Sequence, residues 1–262
     1  MDKATWQKPT PGLAFNPEEV VVTSAFQSAK LAACGLDSRT LGGHVDVAFF
    51  IAIGIRLGIN NGISAEGNVN MLTRLVQHRP VNLDEPLIAR GTIVKVTEVP
   101  RGQSIETDVW FEDQAGKRVV SAPRQSLRPN PDKAQTRGAG ERPAAVIGSI
   151  DTLTHFGRYA LTPQQVKDYS LEGNSIHYDM AAANSAGFRA PIIGGGMGVH
   201  YLIHTLYREG SLHAFDLSLY FRRPVFWDDE FVVAADPWHA IALVREGKVL
   251  TEARINELDR LP

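Results

Sequence analysis

The stretch RPVNLDEPL, residues 79–87, returns as RPVFWDDEF at residues 223–231. Arg, Pro, Val, Asp and a second acidic residue hold the same places in both. Two more pairs flank it in the same order. TLGGHVDVAFFIAIGIRLG (40–58) parallels IIGGGMGVHYLIHTLYREG (192–210), each with paired glycines opening an apolar run. AGKRVV (115–120) parallels EGKVLT (246–251), a Gly-Lys turn between strand-like segments. Three matches in one order make the chain an internal duplication, and the architecture has to be read from that repeat first.

Between the copies the composition changes. PNPDKAQTRGAGERPA (129–144) is rich in Pro, Gly and charge and has no apolar periodicity. That is a linker composition. The expected organisation is a first unit over 1–128, a linker over 129–146 and a second unit over 147–262. Each unit reads as a glycine turn, a helix and several strands. Strands are expected near Leu87–Val96, Ser104–Phe111 and Arg118–Leu127, then near Leu212–Phe221, Glu230–Ala235, Ala240–Arg245 and Lys248–Ile255. Ile105, Thr107, Val109 and Phe111 alternate as a half-buried strand requires. The helix expected from Asp46 to Leu57 is apolar nearly all round, which marks a buried helix. A buried helix followed by an antiparallel sheet able to wrap it is α+β, not a doubly wound parallel sheet. No Rossmann or P-loop glycine motif opens a βαβ unit.

Composition narrows the function. The chain has 262 residues, is 44% hydrophobic and carries a formal net charge of −2. That balance argues against nucleic acid and against a polybasic membrane surface as partners. The most apolar run, Val45–Ile55, is too short to span a bilayer. The N-terminal MDKATWQKPTPG lacks the apolar core of a signal peptide, so a cytoplasmic protein is expected. The single cysteine, Cys34, excludes an internal disulfide and has no activating neighbour in sequence.

The chemistry concentrates in DYSLEGNSIHYDMAAANSAGFRAPIIGGGM, residues 168–197. Glu172, Asn174 and His177 fall within six residues, just after Tyr169. A carboxylate and an imidazole on one short segment can hold a water between them, and His titrates near neutrality, at about 6.5. Asn174 can donate and accept at once and so orient the pair. Gly194–Gly196 then precede a helical pattern from Met197 to Arg208. Helix N-termini offer free N–H groups, and glycine lets a ligand oxygen come close to them. An oxyanion-type site beside an acid–base pair results, with the Gly196 N–H as the expected donor and Gly195 beside it. Asp168 and Asp179 are the rival carboxylates. His44, after Gly42-Gly43 at a position comparable to Gly196, is a secondary candidate for ligand contact. Arg222 and Arg223 could meet a phosphate. His78 and Arg79 open the repeated turn and read as structural. His200 and His204 are spaced as in some metal sites, but no Glu completes an H-E-x-x-H pattern, and no metal is expected.

This stretch resembles the signature of MaoC-like, (R)-specific enoyl-CoA hydratases. That signature runs Tyr, small residues, Gly-Asp-x-Asn-Pro-Ile-His, then Ala, Gly-Phe and Ile-Ala-His-Gly-Met. Tyr169, Glu172, Asn174, Ser175, Ile176-His177, Ala183, Gly187-Phe188, Ile193, Gly196 and Met197 fall on it, and the likeness covers most of 150–257. Glu172 stands for Asp, Leu171 for Gly and Gly195 for His. The first copy, VTSAFQSAKLAACGLDSRTLGGH (22–44), has no carboxylate-x4-His. The resemblance implies a double hot-dog fold, two sheets each wrapped around a central helix, with the chemistry in the second unit and the first shaping the acyl pocket. It implies Glu172, His177 and Asn174 as the catalytic set and Gly196 as the thioester carbonyl donor. Gly195, Tyr169, His44, Arg222 and Arg223 stand as further substrate contacts. The implied reaction is hydration of a 2-enoyl thioester, or its reverse, on an acyl-CoA or acyl-carrier substrate, with no cofactor. The alternatives are a thioesterase, isomerase or cyclase on the same scaffold, or a non-catalytic acyl-binding protein. A homodimer of such chains is compatible with this reading, though no residue specifies it.

Overall fold

A computed structural model describes residues 6–133, 143–170, 173–236 and 239–260. Among these, eleven strands join in one sheet, β1 (Glu18–Val20), β2 (Val69–Gln77), β3 (Leu87–Val99), β4 (Gly102–Glu112), β5 (Arg118–Ser121), β6 (Arg124–Pro129), β7 (Thr154–Ala160), β8 (Leu212–Phe221), β9 (Glu230–Asp236), β10 (Ala240–Arg245) and β11 (Lys248–Arg260). The order is β1-β3-β4-β5-β2-β8-β11-β10-β9-β7, with β6 continuing β5 against β2 and β4. Read inward from either edge, the two halves have the same order. The first strand lies outermost, the third and fourth follow, then the last, and the second lies at the middle. The pairing is antiparallel throughout. The halves meet where β2 pairs with β8, from Leu72↔Tyr220 to Gln77↔Phe215.

Each half holds one long buried helix between its first and second strands. These are α2 (Phe49–Asn60) and α5 (Gly195–Arg208), with shorter helices α1 (Ser24–Ala33), α3 (Pro163–Tyr169) and α4 (Met180–Ser185) packed around them. In α5 every residue from Gly196 to Tyr207 is buried. In α2 Phe49, Phe50, Ile51, Ala52 and Leu57 are buried, and Phe50 packs on Phe111 of β4 with ring centroids 4.5 Å apart. Each such side chain contributes roughly 1.5–3 kcal/mol by leaving water. Gly54 lets α2 lie against β4, because a methyl there would stand 3.1 Å from Val109 Cγ1.

The repeated RPV segment fixes the entry to each central helix. Val45 N–H donates to Val81 O at 2.8 Å, and Ile193 N–H donates to Val225 O at 2.9 Å. Beside them stand the isolated bridges His44↔Asn82 and Ile192↔Phe226. His44 is therefore the counterpart of Ile192 and not of Gly196. Likewise α2 starts at Phe49, three residues after the expected Asp46. The Asp46 carboxylate instead accepts from the Ala48 N–H below the helix start. The Gly-Lys turns close the hairpins β4–β5 and β10–β11, with Gly116 and Gly247 at φ +77° and +72°.

The strand expected over Arg118–Leu127 is two strands. Pro123 has no N–H for the ladder, and the chain steps there from the Val76–Gln77 end of β2 to its Val69–Thr73 end. β1, β2 and β7, and the helices α1, α3 and α4, were not expected from sequence. β2 reads VNMLTRLVQ and is half-polar on both faces. Only its pairing with β8 and β6 makes it a central strand.

Candidate active site

The segment after α3 carries the site. Leu171 and Glu172 lie outside the described residues, and from Gly173 onward the geometry is defined. Asn174 is buried and reaches across to the first half. Its Oδ1 accepts from Gly67 N–H at 3.1 Å, and its Nδ2 donates to Asn68 O at 3.1 Å. Ser175 follows with its hydroxyl and N–H on the Glu66 carboxylate. The 174–175 segment is thus clamped to a loop of the other half. The 66–68 loop carried no signal in the sequence reading. Its residue types are ordinary turn residues, and only the pairing of the halves makes them partners.

His177 sits on a short 3₁₀ turn, Ser175–His177, and is 7% exposed. Its Nδ1 lies 2.8 Å from Ile192 O. A carbonyl oxygen only accepts, so the neutral ring carries its proton on Nδ1 and keeps a lone pair on Nε2. Ile192 is itself held, by its N–H to Ile176 O and by its bridge to Phe226.

A cavity of about 270 Å³ opens beside His177. Asn174, Ile176, His177, Ile193, Gly194 and Gly195 form its wall on the second half, and Ile55, the 67–71 segment, Arg124, Ser126 and Leu127 its wall on the first. Gly195, the first residue of α5, faces the cavity, with Phe221 against its α-carbon. A methyl on Gly195 would stand 2.9 Å from Phe221 Cε1. Gly196 is not on the wall. It is buried one residue further on, and a methyl there would look toward Ala48 O and the Tyr169 hydroxyl. Of the two glycines, Gly195 is the one at the cavity, because the helix starts two residues earlier than the expected Met197 start.

The remaining candidates separate. Tyr169 is fully buried behind α5, with its hydroxyl 2.7 Å from His200 Nε2, and does not line the cavity. His44 does not line it either; its Nδ1 is buried without a hydrogen-bond partner. Arg222 lines the cavity, but its nitrogens are taken up by Glu252, Pro143 O and Ala144 O. Arg223 is exposed at the rim and donates to Val249 O. Asp168 and Asp179 are exposed. One accepts from Gln164, the other caps α4 through the Ala182 N–H. Among the described residues no carboxylate lines the cavity. His78 contacts Ser121, and Arg79 is held by Glu85 and Asp113, both structural as expected. His200 and His204 turn toward Asp46. Cys34 is buried, and burial pushes its thiol up out of the reactive range.

With this geometry in view, the chain can be set beside known proteins. HtdX from Mycobacterium tuberculosis superposes with a TM-score of 0.74 at 17% identity, covering 93% of this chain and 98% of that one. A MaoC-like dehydratase from Phytophthora capsici superposes at 0.68 and 15% identity, covering 95% and 96%. A further M. tuberculosis protein, described as having a double hotdog fold, superposes at 0.63 and 14% identity, covering 96% and 97%. The fold is a double hot-dog. No protein-family model matches the sequence, and no curated protein does. The double hot-dog explains the site's position. The cavity lies where the 174–177 segment and the start of α5 meet the first half's sheet and central helix, so each half builds one wall. No described helix is long and apolar enough to cross a membrane.

Proposed function

We propose that this protein adds water reversibly to a 2-enoyl thioester, giving the 3-hydroxyacyl thioester. The observation that carries this reading is His177. Its free Nε2 stands at a cavity whose same wall is formed by the first residues of α5. The Glu172 side chain, five residues before His177, supplies the carboxylate. The two rival acids are on the surface, and no described carboxylate occupies the cavity. A water is held by His177 Nε2 and Glu172. Glu172 takes one of its protons as the water oxygen bonds to the β-carbon. The electrons of the double bond move toward the thioester carbonyl, whose oxygen takes a hydrogen bond from the Gly195 N–H and the positive end of α5. The proton then returns to the α-carbon on the same face. Water is consumed whole, and no oxidant or metal takes part in the step. Asn174 positions the segment through Gly67 and Asn68 and does not touch the water.

The test follows a crotonyl-type thioester by two readouts. Hydration removes the enone absorbance and releases no thiol. Thiol release without loss of a hydratable enone would replace this reading by hydrolysis, and neither signal would leave an acyl-binding protein. His177→Ala and Glu172→Gln should each lower turnover on the order of 10²–10⁴-fold. The double variant should be little worse than either, because the two groups act on one water.

A further inference from the structure

The first-half wall of the cavity holds a cation that has no counterion among the described residues. Arg124 opens β6, directly across from Thr73 on β2 and Thr107 on β4. Directly paired residues share a face, and both threonines are buried, 1% and 5% exposed. A methyl on Gly58 of α2 would lie 3.7 Å from Arg124 Nη2. The guanidinium thus lies on the cavity wall between the first half's sheet and its central helix, half-buried and one helical turn from Ile55. Among the described residues it makes no ion pair and no side-chain hydrogen bond. Desolvation lowers its pKa to about 10. It stays charged at neutral pH. A second guanidinium, Arg101, lines the same cavity, and its Nε is buried with no hydrogen-bond partner.

A half-buried guanidinium that lines a cavity and has no partner among the described residues is placed to pair with an anion of the ligand. A hydrocarbon chain supplies none. The thioester carbonyl and double bond belong at Gly195 and His177, so the wall opposite receives the rest of the acyl group. The nucleotide phosphates of a CoA carrier are strongly hydrated and belong at the rim, where exposed Arg223 stands, not between a sheet and a buried helix. Planar guanidinium binds carboxylate through two parallel hydrogen bonds.

We infer that the substrate carries a carboxylate on its acyl chain, a 2-enedioyl thioester, and that Arg124 is the residue that selects it. This rests on the hydratase reading for the reaction but not for the binding.

The experiment pairs substrates of equal carbon number. Wild-type enzyme should turn over 2-pentenedioyl-CoA with kcat/KM at least about 30-fold above that for 2-pentenoyl-CoA, the range expected for a desolvated charge pair. Arg124→Met should bring the two near parity, and Arg124→Lys should restore part of the preference. The melting temperature of Arg124→Met without ligand should not fall, since no partner among the described residues is lost; a structural arginine would lower it. Preference for the plain chain, or an equal loss on both substrates in Arg124→Met, would overturn the inference. The same pair as pantetheine thioesters, which lack the nucleotide phosphates, separates the two anions. A preference that persists supports the acyl carboxylate, and an Arg124 effect seen only with CoA esters assigns the residue to phosphate and overturns it. Calorimetry of saturated glutaryl-CoA against pentanoyl-CoA on the wild type reads the site without turnover or mutation. Tighter glutaryl binding with no hydration of either enoyl ester would uphold the carboxylate site and remove the hydratase reading. Hydration with no binding preference would do the reverse.

Discussion

Two adjacent glycines at the start of α5 have opposite tolerances. At Gly195 a methyl would stand 2.9 and 3.0 Å from the Phe221 ring, closer than side-chain carbons come. At Gly196 the nearest atom would be Ala48 O at 3.4 Å, an ordinary contact. Gly196→Ala should therefore fold, with a melting temperature equal or slightly higher, since alanine favours helix by about 1 kcal/mol over glycine. Its hydration rate should stay within a few-fold. Gly195→Ala should move Phe221 or the helix start and displace the N–H proposed to meet the thioester oxygen. Loss of one such donor is worth roughly 10²–10³ in turnover. Adding Phe221→Ala should recover part of it by clearing the clash. Full activity in Gly195→Ala would place carbonyl recognition elsewhere on the wall.

At the scale of elements, three of them meet in a buried polar chain behind the catalytic wall. His200 of α5 has its Nδ1 2.7 Å from Asp46 Oδ2, just before α2, and its Nε2 2.7 Å from the Tyr169 hydroxyl at the end of α3. With Nδ1–H donated to the carboxylate, Nε2 accepts from the tyrosine. His200 and Asp46 are both 0% exposed, and Phe49 stacks on the imidazole at 4.4 Å. The chain ties the helix starts of the two halves to the element that leads into Glu172. His200→Ala leaves the Asp46 carboxylate in the core with the Ala48 N–H and, at 3.7 Å, the His204 ring. Breaking a buried pair on one side costs about 3–5 kcal/mol. Chemical denaturation should show a loss in that range; a loss under about 1 kcal/mol would mean that water or a proton replaces the imidazole without difficulty.

At the scale of the whole molecule, buried histidines set the response to acid. Burial holds the His204 imidazole below its ordinary value of about 6.5, and its Nε2 has no hydrogen-bond partner. Burial lowers His78 too. The unfolded chain takes up protons at these rings before the folded one does. Stability from this source is therefore intact above about pH 6.5 and falls as pH drops below it. Thermal melts from pH 8 to pH 5 should decline on the acid side, and His204→Gln should flatten the slope. An equal slope in that variant would assign acid sensitivity to other groups. Because β2 and β8 make one sheet of both halves, the loss should appear as one transition.

Periodicity and repetition are local properties of a chain, and they carried the duplication, the two buried helices and most of the long strands. Leu212–Phe221 and Ala240–Arg245 were legible to the residue, because alternating apolar side chains and glycine turns need no partner to be recognised. His177 and Asn174 stood out as a short segment with polar, titratable residues among small ones, and both lie on the cavity wall. What a residue faces is set by segments far away in the chain. Asn174 could not announce that its amide clamps Gly67 and Asn68, more than a hundred residues upstream. Arg222 and Arg223 looked alike in sequence, yet Glu252 and two carbonyls consume one while the other stands at the rim. Arg124 read as one more strand arginine. Only the closing of the first sheet over α2 put its charge on the cavity wall opposite His177, with no counterion among the described residues, where an incoming anion would meet it.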